Sequence, residues 1–125
     1  MSLIRVAVDV VAFSIRNNGL AILLIKRKNE PFKGLWAIPG GFVKENESLD
    51  DAAIRELQEE TGVAHVYLEQ LYTFGNPKRD PRGHIITVTY LSILNTFPEL
   101  HASTDAEEAK WFDMSKLPTL AFDHK

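Results

Sequence analysis

Odd and even positions are both largely apolar near the start of the chain: Val6, Val8, Val10, Ala12 and Ser14 interleave with Ala7, Asp9, Val11, Phe13 and Ile15. A stretch with no polar face predicts a strand buried on both sides. Asn17-Asn18-Gly19 tolerates positive φ and predicts a tight turn, which makes Leu20 to Lys28 the returning strand of a hairpin. A polar loop with Pro31 and Gly34 follows, then a short strand from Leu35 to Ile38. Pro39-Gly40-Gly41 breaks it, and Phe42 and Val43 resume a strand.

The period then changes. Ser48 suits an N-cap, Asp50 and Asp51 suit the positive end of a helix dipole, and Gly62 suits a left-handed stop. These signals predict a helix from about Leu49 to Thr61. Strands are expected near Tyr67–Phe74 and Ile85–Leu94, joined by the turn-rich loop Gly75 to Gly83. A last short strand around Lys110–Phe112 leads into Ser115-Lys116-Leu117-Pro118. Asp123-His124-Lys125 carries no stop signal, so a final helix continuing past the last residue is expected. The order predicts one mixed sheet covered by helices, an α/β (α+β) arrangement in a single domain over residues 1–125.

Composition narrows the classes. The chain has 125 residues, room for one core, and 45% apolar with 25% charged residues excludes a disordered chain. No cysteine is present, which excludes thiolate metal sites, cysteine nucleophiles and disulfide scaffolds. A formal charge of −3 gives no overall attraction to nucleic acid or an anionic membrane. The longest wholly apolar run, Leu20 to Ile25, is far too short to span a bilayer. Arg5 and Asp9 interrupt the first apolar stretch, so no secretory pattern is seen and a cytoplasmic location is expected.

The candidate chemistry lies in Arg55-Glu56-Leu57-Gln58-Glu59-Glu60-Thr61-Gly62. Helical geometry puts Glu56, Glu59 and Glu60 within an arc of roughly 100°. Ile54, Leu57 and Thr61 fall on the opposite side and are expected to pack on the sheet. Three like charges on one face need cations among them, and hard oxygen ligands suit Mg²⁺ or Mn²⁺. An isolated acidic helix is more often a solvated face, with Arg55 pairing Glu59 across one turn. The segment before the helix shifts that balance: Pro39-Gly40-Gly41 sets exposed backbone against the helix start, and Glu47 immediately precedes the N-cap.

Gly41, Glu47, Arg55, Glu56, Leu57, Glu59, Glu60, Gly62 and Val63 match, without a departure, the signature of the Nudix hydrolases. The chain resembles that family over nearly its whole length, from the hairpin through Trp36-Ala37-Ile38-Pro39-Gly40-Gly41 to Trp111-Phe112. The resemblance implies an α/β/α sandwich around a mixed sheet. It also implies Mg²⁺-assisted hydrolysis of a nucleoside diphosphate linked to another group. By matching position, Glu56, Glu59 and Glu60 resemble metal ligands, with the Gly40 carbonyl completing the site. Arg55 and Glu47 resemble the pair that fixes loop against helix; simple capping is the rival role for Glu47. The general base stays open between Glu56 and the acidic stretch Asp105, Glu107 and Glu108, expected to be a loop before Trp111.

Lys78-Arg79-Asp80-Pro81-Arg82-Gly83 holds three cations, and the forks of Arg79 and Arg82 suit phosphate oxygens. A solvated hairpin connection is the commoner reading of such a loop. Gln70 to Phe74, the Arg79–His84 run, and Leu117-Pro118 with Ala121 to His124 resemble one branch of the family: ADP-ribose pyrophosphatases and related transcriptional regulators. ADP-ribose is therefore the expected substrate, with Arg79, Arg82 and Phe74 on the substrate side. Tyr72, Phe32 and Trp36 are further aromatic candidates for a base, although core packing is the ordinary role of such residues. Two rivals remain: a domain that only senses the ligand, and a hydrolase of oxidised nucleoside triphosphates. A regulator requires a DNA-binding segment, which these residues do not supply. His65, His84, His101 and His124 lack metal-ligand spacing. A homodimer is implied by the resemblance alone.

Overall fold

The computed structural model describes residues 3–16, 19–94, 100 and 106–121; of Arg16 and Glu107 it describes the backbone only. The elements run β1 (Arg5–Arg16), β2 (Gly19–Arg27), β3 (Trp36–Ala37), β4 (Gly40–Phe42), α1 (Leu49–Thr61), β5 (Glu69–Phe74), β6 (Ile85–Leu94) and β7 (Ala106–Asp113). The seven strands form one mixed sheet in the order β3-β2-β1-β6-β5, with β4 also on β1 and β7 also on β2. The Asn17-Asn18 turn lies outside the described residues, but Arg16 opposite Gly19 gives the hairpin register that a two-residue turn produces.

The centre of the sheet is β1. It runs parallel to β6 from Arg5 to Ser14, and antiparallel to β2 from Phe13 to Arg16. Its edge facing away from β6 is divided, because Ala7, Val8 and Asp9 pair instead with Phe42, Gly41 and Gly40 of β4. The sheet therefore forks. One arm is β4; the other is β2 with β3 and β7. The burial expected on both faces of β1 holds for Ala7 to Val10, whereas Val6 and Ile15 at its ends are exposed.

Helix α1 has the predicted bounds. The Ser48 hydroxyl accepts the Asp51 amide at 3.0 Å, and Gly62 ends the helix at φ 80° with its own amide donating to the Gln58 carbonyl. The helix covers one face of the sheet. Leu57, 1% exposed, packs there with Ala52, Ala53, Val8, Val10, Leu23, Val88 and Tyr90. The Tyr90 hydroxyl donates to Asp50 at the helix start and accepts from Gln70, so β5, β6 and α1 meet at one buried phenol.

Several sequence expectations need correction. Ile54 is 45% exposed, while Glu56 and Glu60 are buried, so the inward face of α1 is rotated toward its carboxylates. Gly40 and Gly41 begin β4 rather than interrupting a strand. Tyr67 and Leu68 precede β5, and β7 extends over eight residues. Glu107 and Glu108 therefore belong to a strand, not to a loop, because Lys26 and Arg27 of β2 hold that stretch in the sheet. One helix is found among the described residues; the final helix expected past Phe122 lies outside them.

Leu57→Ala is expected to lower stability by about 2–5 kcal/mol, by loss of transfer energy plus a cavity beneath the helix. Urea unfolding measures this, and a loss below about 1 kcal/mol rules out the packing described.

Candidate functional site

The fork in the sheet opens a cleft. It is solvent-open, about 510 Å³, and is lined by Asp9, Arg27, Gly40, Gly41, Phe42, Glu60, Arg79, Asp80, Arg82 and Thr87 among others. An adjoining lobe shares Arg27, Gly40, Gly41, Phe42, Glu60 and Arg82 and adds Glu56. The cleft thus lies between the helix carboxylates and the β5–β6 loop.

Its floor is backbone. A Cβ on Gly40 would stand 2.3 Å from the Val8 carbonyl oxygen, and one on Gly41 would stand 2.6 Å from the Glu56 carboxyl. Only glycine lets β4 approach β1 and the helix this closely. The Gly40 amide donates to Glu60 at 2.7 Å, tying the floor to the second turn of carboxylates.

Arg55 organises the acidic residues. Its Nε and Nη2 donate to the two Glu47 oxygens at 2.6 and 2.9 Å, and Nη1 donates to Glu56 at 2.6 Å and Glu59 at 3.5 Å. Nη2 also donates to the Phe42 carbonyl at 3.1 Å. One guanidinium therefore joins the loop before the helix, two helix turns and β4. The hydrogen bonds from Arg55, with the Lys44 amide, pull the Glu47 carboxyl down to about 2. Glu47 pushes the Arg55 guanidinium higher still. Loop-to-helix fixation, rather than simple capping, is the contact Glu47 makes.

The predicted substrate loop is exposed along most of its length but is anchored at Arg79 and Asp80. Arg79 donates to the Ile85 carbonyl and the Thr87 hydroxyl, both at 2.9 Å, and Arg82 pairs with buried Asp80. Phe74 lies outside the lining of the cleft but within 5.9 Å of the Arg79 guanidinium carbon, and it is partnered by Tyr72 at 4.9 Å. Trp36 meets Phe112 edge-on at 4.7 Å, and Phe32 packs on a small core of Ile25, Ala37, Ala106 and Ala121. Both serve packing. Glu108 pairs with Lys26 at 3.7 Å and does not line the cleft; Asp105 and the Glu107 side chain lie outside the described residues. His65 is exposed, His84 approaches the Gly75 carbonyl, and His101 and His124 lie outside the described residues.

Residues 4–125 match the family model of the NUDIX domain. The chain belongs to the NUDIX domain family. It is 50% identical over 105 residues to an ADP-ribose pyrophosphatase of Methanocaldococcus jannaschii, covering 83% of this chain and 61% of that protein. It is 41% identical over 121 residues to the ADPR responsive transcriptional repressor NtrR of Acinetobacter baylyi, covering 94% of this chain and 48% of the repressor. The NUDIX domain of Shewanella oneidensis NrtR, solved with ADP ribose, superposes with a TM-score of 0.93 at 37% identity, covering 99% of this chain and 83% of that one. The chain spans between about half and three-fifths of the length of the two curated relatives.

NUDIX hydrolases use divalent metals, and the donor set here has the right chemistry: hard carboxylate oxygens on successive helix turns. Among the described residues, no three acidic or imidazole side chains are gathered into a metal-holding cluster. Glu56 and Glu59 are turned to Arg55, and Glu60 to the Gly40 amide. Sequence reasoning missed Asp9 and Arg27, both in the cleft lining. A lone acidic residue within the apolar run 6–15 was the available signal for Asp9.

Because the folded-state pKa of Glu47 is depressed, the stability it supplies is present above its ordinary value of 4.5 and is lost as pH falls toward about 2. Glu47→Gln is expected to be less stable than the parent at about pH 7, with the gap closing through that window. Denaturant unfolding across the acid range reads this directly; a gap that does not change with pH removes the ion pair as its source.

Proposed function

We propose that this domain hydrolyses a nucleoside diphosphate linked to another group, with ADP-ribose as substrate and Mg²⁺ as metal, Mn²⁺ being the alternative. The observation that carries the reading is that Glu56 and Glu60 of the helix line a cleft floored by Gly40 and Gly41. Similarity to an ADP-ribose pyrophosphatase and to an ADP-ribose-bound domain supports the choice of substrate.

In the reaction, water attacks one phosphorus, the bridging P–O bond breaks, and AMP and ribose 5-phosphate leave. Glu56, Glu59, Glu60 and the Gly40 carbonyl are the groups proposed to hold the metal. A divalent ion held by these groups would supply positive charge and make a bound water more acidic. Arg55 keeps Glu56 and Glu59 oriented and neutralises part of the acidic cluster. Glu56 is the proposed base ahead of Glu108, since it lines the site and Glu108 does not; the rival candidates Asp105 and the Glu107 side chain lie outside the described residues. Arg79 and Arg82 face the substrate anion from the loop, and Phe74 lies on the same side. A cytoplasmic homodimer that engages neither nucleic acid through these residues nor a membrane completes the reading; no helix of the described residues is long and apolar enough to cross a membrane.

A ligand-sensing domain is the second reading, favoured by the match to a repressor of which this chain spans 48%. The complete box argues for turnover, because sensing alone does not require every carboxylate.

Chromatography of products after incubation with Mg²⁺ and ADP-ribose, NADH, sugar nucleotides, dinucleoside polyphosphates or oxidised dGTP tests the proposal. AMP and ribose 5-phosphate are expected from ADP-ribose, at a rate lowered about a hundredfold or more in Glu59→Gln. Binding of ADP-ribose without turnover establishes the sensing domain instead, and turnover of oxidised dGTP alone overturns the substrate.

A further inference from the structure

The loop between β5 and β6 is exposed along most of its length, yet Asp80 within it is 7% exposed. Both of its oxygens are directed at Arg82. Oδ1 accepts the Arg82 backbone amide at 2.9 Å and Nε at 3.1 Å, and Oδ2 accepts Nη2 at 2.9 Å. Backbone and side chain of the same arginine are thus fixed by one carboxylate. The Asp80 carbonyl also accepts the Gly83 amide, which closes the turn around the pair.

The place where this pair holds the guanidinium is specific. Its central carbon lies 4.9 Å from the centre of the Phe42 ring, which carries the Arg5 guanidinium at 3.5 Å as well. The Phe42 carbonyl is bound by Arg55. Arg82 is among the few residues that line both lobes of the cleft, together with Arg27, Gly40, Gly41, Phe42 and Glu60. A surface arginine samples many rotamers, and ordering it on ligand binding costs affinity. An arginine ordered beforehand avoids that cost.

We propose that Asp80 is a positioning residue: by gripping the Nε–Nη2 edge it presents the Arg82 guanidinium at the junction of the two lobes, where that cation faces an anionic diphosphate. The inference rests on the reading that the cleft takes a nucleoside diphosphate derivative. Burial pushes the Asp80 carboxyl up, but the Arg82 hydrogen bonds outweigh it and hold the group below its ordinary value, consistent with a charged partner at all ordinary pH. Asp80 itself touches no reacting atom in this scheme. Its effect therefore falls on substrate affinity rather than on the chemical step.

The test is calorimetric binding of ADP-ribose to the parent, Asp80→Asn, Arg82→Ala and the double variant, beside steady-state kinetics on the same proteins. Asp80→Asn is expected to weaken binding and raise KM about tenfold, with kcat changed less than about twofold. In the Arg82→Ala background, Asp80→Asn is expected to add nothing, because the group it positions is gone. Unchanged binding in Asp80→Asn, or additive losses in the double variant, overturns the proposal. A fall in kcat at constant KM overturns it as well. Should Asp80→Asn fail to fold, Arg82→Lys serves: it keeps the charge but loses the fork that Asp80 grips, and parent-like affinity in it overturns the proposal. Parent protein that binds ADP-ribose without turnover removes the hydrolase reading and leaves this inference standing on the binding data. Parent protein that does not bind removes both.

Discussion

Everything at the site depends on one guanidinium surrounded by carboxylates. Glu47, Glu56 and Glu59 stand close enough to repel one another, and Arg55 makes that assembly stable by donating to all three and to the Phe42 carbonyl. The same side chain fixes the angle at which the loop enters the helix and the separation between helix and β4. A lysine keeps the charge but lacks the planar fork that reaches acceptors on four residues at once. The acidic cluster and the architecture around it are therefore a single arrangement.

The glycine pair is the complementary constraint. Gly40 and Gly41 let a strand lie against both β1 and a row of acidic side chains, with contacts closer than any Cβ permits. Their amides and carbonyls take the place of side chains on the cleft floor, as the Gly40 amide on Glu60 illustrates. Main-chain groups held in a sheet keep their positions without rotamer freedom, so the floor is preorganised.

Much of this was legible in the sequence. The helix was delimited by Ser48, Asp50, Asp51 and Gly62 because capping is a local interaction, and the long strand Ile85–Leu94 by its β-branched run. The box residues carried the family through spacing alone. Ile54 was misplaced because periodicity gives the relative order of side chains around a helix but not which sector faces the sheet. Buried glutamates paired to arginine and glycine outcompeted an isoleucine for the inward sector. The extent of β7 depends on partners far along the chain, Lys26 and Arg27, so no local signal announced it.

The divided edge of β1 has a consequence for how such a domain changes over time. The cleft floor and the helix carboxylates are fastened to that edge through β4, whereas Arg79, Asp80 and Arg82 arrive on a connection that leaves the sheet after Phe74 and rejoins it at Ile85. Exchanging residues in that connection alters one wall of the cleft while the hydrogen-bonded pairing of β1 with β4 stays as it was. One wall of the cleft and the floor beneath it thus occupy separately mutable parts of one small domain, and drift in the first need not unsettle the second.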